Sequence, residues 1–263
     1  MRNDNMSRYY NPPVGGWVGG KSKLAKTIVE RLPEHTCYAE PFAGAAWVLF
    51  RKPESKVEVI NDINKDLVTL YRVIQWHLEE FVRYFKWVLV GRDEFDRLRK
   101  TDPDTLTDIQ RAARFYYLQK TTFSGKPANQ NFGYSAVSPA RLNLLRIEEQ
   151  LSAAHLRLCR VYVECLPYAE VIRRYDRPET CFYVDPPYLG SAHYYGRGLF
   201  GGEDFSALAE QLAGIKGKFL LSLNDIPEVR RIFAAFDIES IRTSYIVRMC
   251  SHYLTNGGNY VFV

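Results

Sequence analysis

The chain predicts an α/β fold: a mixed, mostly parallel sheet flanked by helices, with a helical module inserted into it. Three observations lead there. Short apolar runs alternate with helical periodicity in the first and last thirds of the sequence. Between them, residues 76–155 keep the helical period and lose every strand signal. Several apolar runs also end in a polar or glycine turn bearing a carboxylate, where open α/β sheets collect ligands.

The elements follow in order. Residues 1–20 are polar and rich in glycine, and read as an irregular arm. Leu24, Ile28 and Leu32 share one face and predict a helix from about Ser22 to Leu32. Thr36 to Ala39 reads as a buried strand, followed by the turn Glu40-Pro41-Phe42-Ala43-Gly44 and a helix start at Ala45-Ala46. Lys56 to Ile60 is a second strand, closed by Asn61-Asp62-Ile63-Asn64. Leu67, Leu70, Tyr71, Ile74 and Leu78 then mark one long amphipathic helix. In the insertion, Ile109, Ala112, Ala113 and Tyr116, then Leu144, Ile147, Leu151 and Ala154, mark two more helices. A polar and aromatic loop from Thr121 to Tyr134 lies between them. Strands return at Arg160 to Val163, Cys181 to Val184 and Phe219 to Leu223, with a helix through Phe205, Leu208, Ala209 and Leu212. The segments 236–247 and 259–263 read as antiparallel strands.

A chain of 263 residues suits one α/β domain carrying an insertion. The 46% hydrophobic content supplies a packed interior, and a net charge of +5 is compatible with a polyanionic partner without demanding one. The five cysteines and five histidines show no paired ligand spacing, so no metal is expected. No signal segment or long apolar span stands out, so the reading is a cytoplasmic protein with no membrane association and no evident obligate protein partner.

The most specific chemistry lies in Asp185-Pro186-Pro187-Tyr188, directly behind the run Phe182-Tyr183-Val184. An exocyclic amino nitrogen on a base is a poor nucleophile, because its lone pair is delocalised into the ring. A carboxylate and a rigid main-chain carbonyl can accept its two N–H bonds, while an aromatic face stacks on the base. Asp185 supplies the carboxylate, the two prolines restrain the backbone, and Tyr188 supplies the face. The same residues also describe a strand ending in a polar turn.

Glu40-Pro41-Phe42-Ala43-Gly44 stands at another strand end, where Gly44 permits close backbone approach. Asp62 follows about twenty residues on, where nucleoside-binding sheets place an acid for ribose hydroxyls. No phosphate-cradling motif accompanies them, so a nucleoside without a pyrophosphate, such as S-adenosylmethionine, fits better. The alternative for Glu40 and Asp62 is a solvated helix cap each. Near the start, Trp17-Val18-Gly19-Gly20-Lys21 offers a ring, two glycines and a cation.

Taken together and in this order, Gly19-Gly20-Lys21, Glu40-Pro41-Phe42-x-Gly44, Asn61-Asp62-x-Asn64 and Asp185-Pro186-Pro187-Tyr188 resemble the Dam family of N6-adenine DNA methyltransferases. The resemblance spans nearly the whole chain. It implies a Rossmann-like methyltransferase fold formed by residues 1–75 and 156–263, with residues 76–155 as the target-recognition insertion. It implies S-adenosylmethionine as methyl donor, without a metal, bound by Trp17, Lys21, Glu40, Pro41, Phe42, Gly44, Asp62 and Asp185. Asp185, Pro186, Pro187 and Tyr188 would act on a flipped adenine by direct displacement. Cys165-Leu166 stands where the family often has an Asp-Phe pair, and Ala45-Ala46 replaces a glycine-richer stretch. Ser222-Leu223-Asn224 resembles a further strand end near the target pocket.

DNA is the implied partner. Lys120, Phe123, Lys126, Asn129, Asn131 and Tyr134 are the candidates to contact it, the amide side chains because they can read adenine and the rings because they can fill a vacated stack. Arg92, Arg97, Arg99, Lys100, Arg111 and Arg114 are candidates for phosphate contacts or solvated helix faces. The loop is short beside relatives that read GATC and lacks the expected arginine, which points to a relaxed or different sequence preference. The residues leave two other readings open. One is methylation of another planar amino group, in RNA adenine, cytosine N4 or a protein amide; the other is a non-catalytic DNA-binding homologue.

Overall fold

The computed structural model describes residues 10–17, 19–122, 125, 130–140, 142–188, 200–249 and 252–262, and only the backbone over 242–261. The candidate contacts Phe123, Lys126 and Asn129 therefore lie outside the described residues.

The apolar runs form five parallel strands: β1 (Cys37–Glu40), β2 (Val57–Asn61), β3 (Val161–Glu164), β4 (Thr180–Val184) and β5 (Lys218–Asn224). Two antiparallel strands, β6 (Glu239–Met249) and β7 (His252–Phe262), extend the sheet beyond β5. The order is β3-β2-β1-β4-β5-β7-β6. Chain progression runs one way from β1 through β2 to β3, and the other way from β4 to β5. A cleft therefore opens between the carboxyl ends of β1 and β4, where the order reverses.

Both faces of the sheet are covered, because successive side chains point to opposite sides. Tyr38, Ile60, Tyr183 and Leu220 enter one core, with α1 (Ala25–Val29), α2 (Lys65–Trp76), α3 (Leu78–Tyr84), α4 (Arg92–Lys100), α5 (Asp108–Thr121) and α6 (Ile147–Leu158). Their neighbours Ala39, Val59, Phe182 and Leu221 enter the other, under α7 (Tyr168–Tyr175), α8 (Gly202–Ala213) and α9 (Pro227–Ile232). Apolar packing runs unbroken from the sheet through α2 into α5, so the helical segment shares the first core.

Local chemistry sets the helix starts. Asn64 caps α2 by accepting from the N–H groups of Asp66 and Leu67. Thr107 and Gln110 form a reciprocal capping box at α5. Near the amino end of β2, Glu58 is buried against Lys52, at 2.6 Å, and against Arg157 of α6. Burial alone would push the Glu58 carboxyl up, but the guanidinium of Arg157 and the Lys52 ammonium hold it below the usual carboxylate range.

Four local expectations change. The first helix is regular only over Ala25–Val29, with hydrogen-bonded turns on either side. The long helix is split at His77, which leaves helical geometry at φ −134° and begins α3. After Gly44 the chain makes turns rather than a regular helix, because Gly44 (φ +48°) and Ala46 (φ +53°) take left-handed backbone that no α-helix contains. Strand β7 begins seven residues before the expected 259, since Asn256-Gly257-Gly258, a turn signal by composition, lies in the ladder opposite Tyr245, Ser244 and Thr243.

Candidate active site

The register carries Glu40, Asp62 and Asp185 to one place. Glu40 closes β1 opposite Ile60, Asp62 follows the last residue of β2, and Asp185 follows the last residue of β4. A cavity of about 410 Å³ opens there, within the range that takes a small ligand. Trp17, Lys21, Glu40, Pro41, Phe42, Gly44, Asp62, Asp185 and Pro187 all line it.

Asp185 is gripped from two sides. Lys21 Nζ lies 2.6 Å from Oδ2, and Ser222 of β5 donates to Oδ1 at 2.8 Å. Lys21 also donates to the Gly19 carbonyl at 2.9 Å and sits 4.8 Å from the Tyr188 ring centre, which brings Tyr188 to the same corner. Burial pushes the Asp185 carboxyl up, while Lys21 and Ser222 pull it back toward the charged form.

Asp62 works through the backbone. It accepts from the Gly44 N–H at Oδ2 and from the Asn64 N–H at Oδ1, both at 2.9 Å, so it ties the turn after β1 to the start of α2. Burial raises its pKa against those bonds. Tyr71 of α2 holds the same turn from below, donating to the Gly44 carbonyl at 2.7 Å. A Cβ on Gly44 would stand 3.0 Å from Trp17 Nε1, so the indole rests directly on this glycine.

Glu40 is 1% exposed and accepts from the Tyr38 hydroxyl at 2.7 Å and the Leu49 N–H at 2.8 Å. Burial pushes it up to about 7, against those two bonds, and the Asp185 charge adds to the rise. Three desolvated carboxylates thus face a cavity that holds one lysine, an arrangement suited to a ligand carrying positive charge.

Two features have roles that the sequence did not assign. Asn61 is 1% exposed and links three strand ends: its Nδ2 donates to the carbonyls of Pro41 at 2.9 Å and Leu166 at 3.0 Å, and its Oδ1 accepts from the Leu166 N–H at 2.8 Å. Leu166, in the position noted for departing from the family pair, is thereby fixed in the cavity wall. The second is an aromatic box. Phe42 stacks on Tyr168 (5.0 Å, 28°) and meets Phe200 edge-on (5.6 Å), which only the folding of β1, α7 and the segment before α8 brings together.

The candidates for nucleic-acid contact lie elsewhere. Asn131 and Tyr134 are exposed, and the Arg92 guanidinium lies 5.5 Å from the Tyr134 ring centre. Lys120, at the end of α5, is half-buried with its ammonium 5.2 Å from the Tyr116 ring centre. Among the basic side chains, Arg111 and Arg114 turn inward onto Asp66 of α2, at 2.5 Å and 3.5 Å. Arg97 and Arg99 pair with Glu94 and Asp96 along α4. These four hold helices together or satisfy neighbouring acids. Among the described residues, no cluster of His, Cys, Asp or Glu could hold a metal ion, and no helix is long and apolar enough to cross a membrane.

Comparison with known proteins places this geometry in context. Residues 17–246 match the family described as D12 class N6 adenine-specific DNA methyltransferase. The chain is 25% identical over 240 residues to the type II methyltransferase M.CviBI of Paramecium bursaria Chlorella virus NC1A, covering 89% of each protein. It is 29% identical over 207 residues to the type II methyltransferase M.MjaIII of Methanocaldococcus jannaschii, covering 67% of this chain and 68% of that one. It is also 26% identical over 243 residues to a DNA adenine methylase of Vibrio cholerae, covering 87% of each.

Proposed function

Because the chain belongs to the D12 class of N6 adenine-specific DNA methyltransferases, we propose that the cavity at the β1/β4 reversal holds S-adenosylmethionine and that Asp185 grips the target amino group beside it. The enzyme methylates the N6 amino group of adenine in DNA. The observation that supports this placement is the Asp185 carboxylate, half-buried at the cavity wall between Lys21 and Ser222.

The residues present fit the donor. Its cationic sulfonium and ammonium match the surplus of carboxylate at Glu40, Asp62 and Asp185, and its carboxylate matches Lys21. Asp62 would take the ribose hydroxyls, and Trp17, Pro41, Phe42 and Gly44 would close around the remainder. When bound, the donor supplies a methyl group on a positively charged sulfur, ready for in-line displacement.

The chain's own residues supply the rest. Adenine leaves the stack and its ring lies on Tyr188. The Asp185 carboxylate and the Pro186 carbonyl accept the two N–H bonds, which turns the nitrogen lone pair away from the ring and toward the donor. As the nitrogen gains positive charge, the adjacent carboxylate stabilises it in a water-poor cavity and is placed to receive the proton released. Residues 1–75 and 156–263 form the catalytic part in this reading, and residues 76–155 the part that reads DNA. Among the described residues, Lys120, Asn131 and Tyr134 would contact the DNA in this reading, and the preferred sequence would differ from GATC or be relaxed. The free thiols of Cys37, Cys159, Cys165 and Cys181 accord with a reducing cytoplasm.

The test is Asp185→Ala. Transfer of labelled methyl groups into DNA should vanish, Tyr188→Ala should lower it severely, and digestion of the wild-type product should yield N6-methyladenine. An Asp185→Ala enzyme that methylates DNA at the normal rate would discard the mechanism.

A further inference from the structure

We propose that Ser222, oriented by the Tyr183 hydroxyl, is the positioning residue that aims the Asp185 carboxylate at the target amino group. The inference rests on Asp185 being the amino acceptor.

The placement follows from the sheet. Strands β4 and β5 are parallel neighbours with Val184 opposite Leu221, so the next rung sets Asp185 beside Ser222. Ser222 is fully buried, and its Oγ lies 2.8 Å from Asp185 Oδ1 and 2.9 Å from the Tyr183 hydroxyl. Tyr183 is itself 2% exposed. One proton arrangement satisfies all three groups. An ionised carboxylate only accepts, so the single Ser222 proton must point at Asp185, and Tyr183 must then donate to Ser222. The chain Tyr183 → Ser222 → Asp185 has a fixed direction, and each bond polarises the next.

Its consequence is aim. The terminal torsion of an aspartate is broad and two-fold, so one anchored oxygen leaves the plane free to turn. Here Lys21, before α1, holds Oδ2 and Ser222 of β5 holds Oδ1, and the two anchors together set the carboxylate plane. A carboxylate has about four acceptor positions, so capacity for the amino N–H remains. Lys21 must also serve the donor, which leaves the hydroxyl relay as the anchor internal to the sheet. A purely structural reading of the same pair is a polar clip between β4 and β5.

The experiment separates the two, using the full chain on duplex DNA. Steady-state kcat and KM, the pH profile of kcat and the thermal midpoint are measured for Ser222→Ala, Tyr183→Phe and Asp185→Ala. Ser222→Ala should lose about 10- to 100-fold in kcat, the scale of a misaligned reacting group, with KM for DNA changed by less than about threefold. Its acidic limb should move to higher pH, because the lost bond had favoured the charged carboxylate. Among the described residues, the charged or titratable groups acting on Asp185 are Lys21, before α1, and Glu40 of β1, with the Tyr183 hydroxyl reaching it through Ser222. The substitution leaves all three in place. Tyr183→Phe should move both quantities the same way by a smaller amount, and it covers the case in which Ser222→Ala fails to fold. Unchanged kcat and acidic limb in a folded Ser222→Ala or Tyr183→Phe enzyme, with Asp185→Ala inactive, would overturn the proposal alone. An active Asp185→Ala enzyme would instead remove the reading beneath it.

Discussion

Replacing Asn61 with alanine should be the most damaging single change near the cavity that touches no charged group. Its amide makes three bonds, to Pro41, to the Leu166 carbonyl and from the Leu166 N–H, at 2.8–3.0 Å, in a residue 1% exposed. Truncation leaves the Pro41 carbonyl buried without this partner and the part-buried Leu166 N–H and carbonyl short of theirs. A stranded buried group costs about 1–3 kcal/mol, and carbonyls and part-buried groups lie at the low end, so the total is about 2–4 kcal/mol. Urea unfolding followed by tryptophan fluorescence reads it as a lower midpoint at unchanged slope. Calorimetric titration with S-adenosylmethionine should show a parallel loss of affinity, since the turn after β1 and the Leu166 wall lose their common tie. A loss of under about 1 kcal/mol would refute the reasoning, because it would mean that water or backbone shift satisfies these groups at no cost.

Two further outcomes follow from the same site. Gly44→Ala forces a side chain into left-handed backbone at φ +48° with its Cβ 3.0 Å from Trp17 Nε1. It should cost about 1–2 kcal/mol of stability and weaken donor binding by displacing the indole, and a titration with wild-type affinity would contradict it. Glu40 adds a pH dependence. Its pKa is pushed up to about 7 by burial, above its unfolded value near 4.5, so the folded state holds the proton more tightly. That contribution to stability is fully present below about pH 4.5 and fades as pH rises to about 7, a span on the order of 3 kcal/mol. Thermal midpoints between pH 5 and 8 should therefore fall less steeply in Glu40→Gln than in the wild type, and equal slopes would count against the assignment.

The order of strands and motifs was legible because each rests on short-range rules. Short apolar runs placed the parallel strands to within a residue or two, and the carboxylates at the ends of three of them pointed to one ligand site. Other features escaped because they depend on partners distant in the chain. Asn61 looks like any polar residue in a turn until β3 places Leu166 beside it, 105 positions on. The basic residues of the insertion read as phosphate contacts or solvated helix faces, yet Arg111 and Arg114 are drawn inward by Asp66, 45 and 48 positions away. Asn256-Gly257-Gly258 carried turn chemistry and was overruled by the ladder with β6.

Read in a line, the residues specified which chemical groups are available: an aspartate, two prolines and a tyrosine behind one strand, an acid and a glycine behind another, in a chain of the D12 class of N6 adenine-specific DNA methyltransferases. Those are properties of covalent neighbours, and they survive being read in a line. The tertiary structure alone decided how the chemistry is aimed. Parallel pairing of β4 with β1 and β5 brings Asp185 within electrostatic reach of Glu40 and beside Ser222, and the segment before α1 sets Lys21 on the same carboxylate. Hydrogen bonds act over about 3 Å, so only the fold could choose which of 263 residues would come that close.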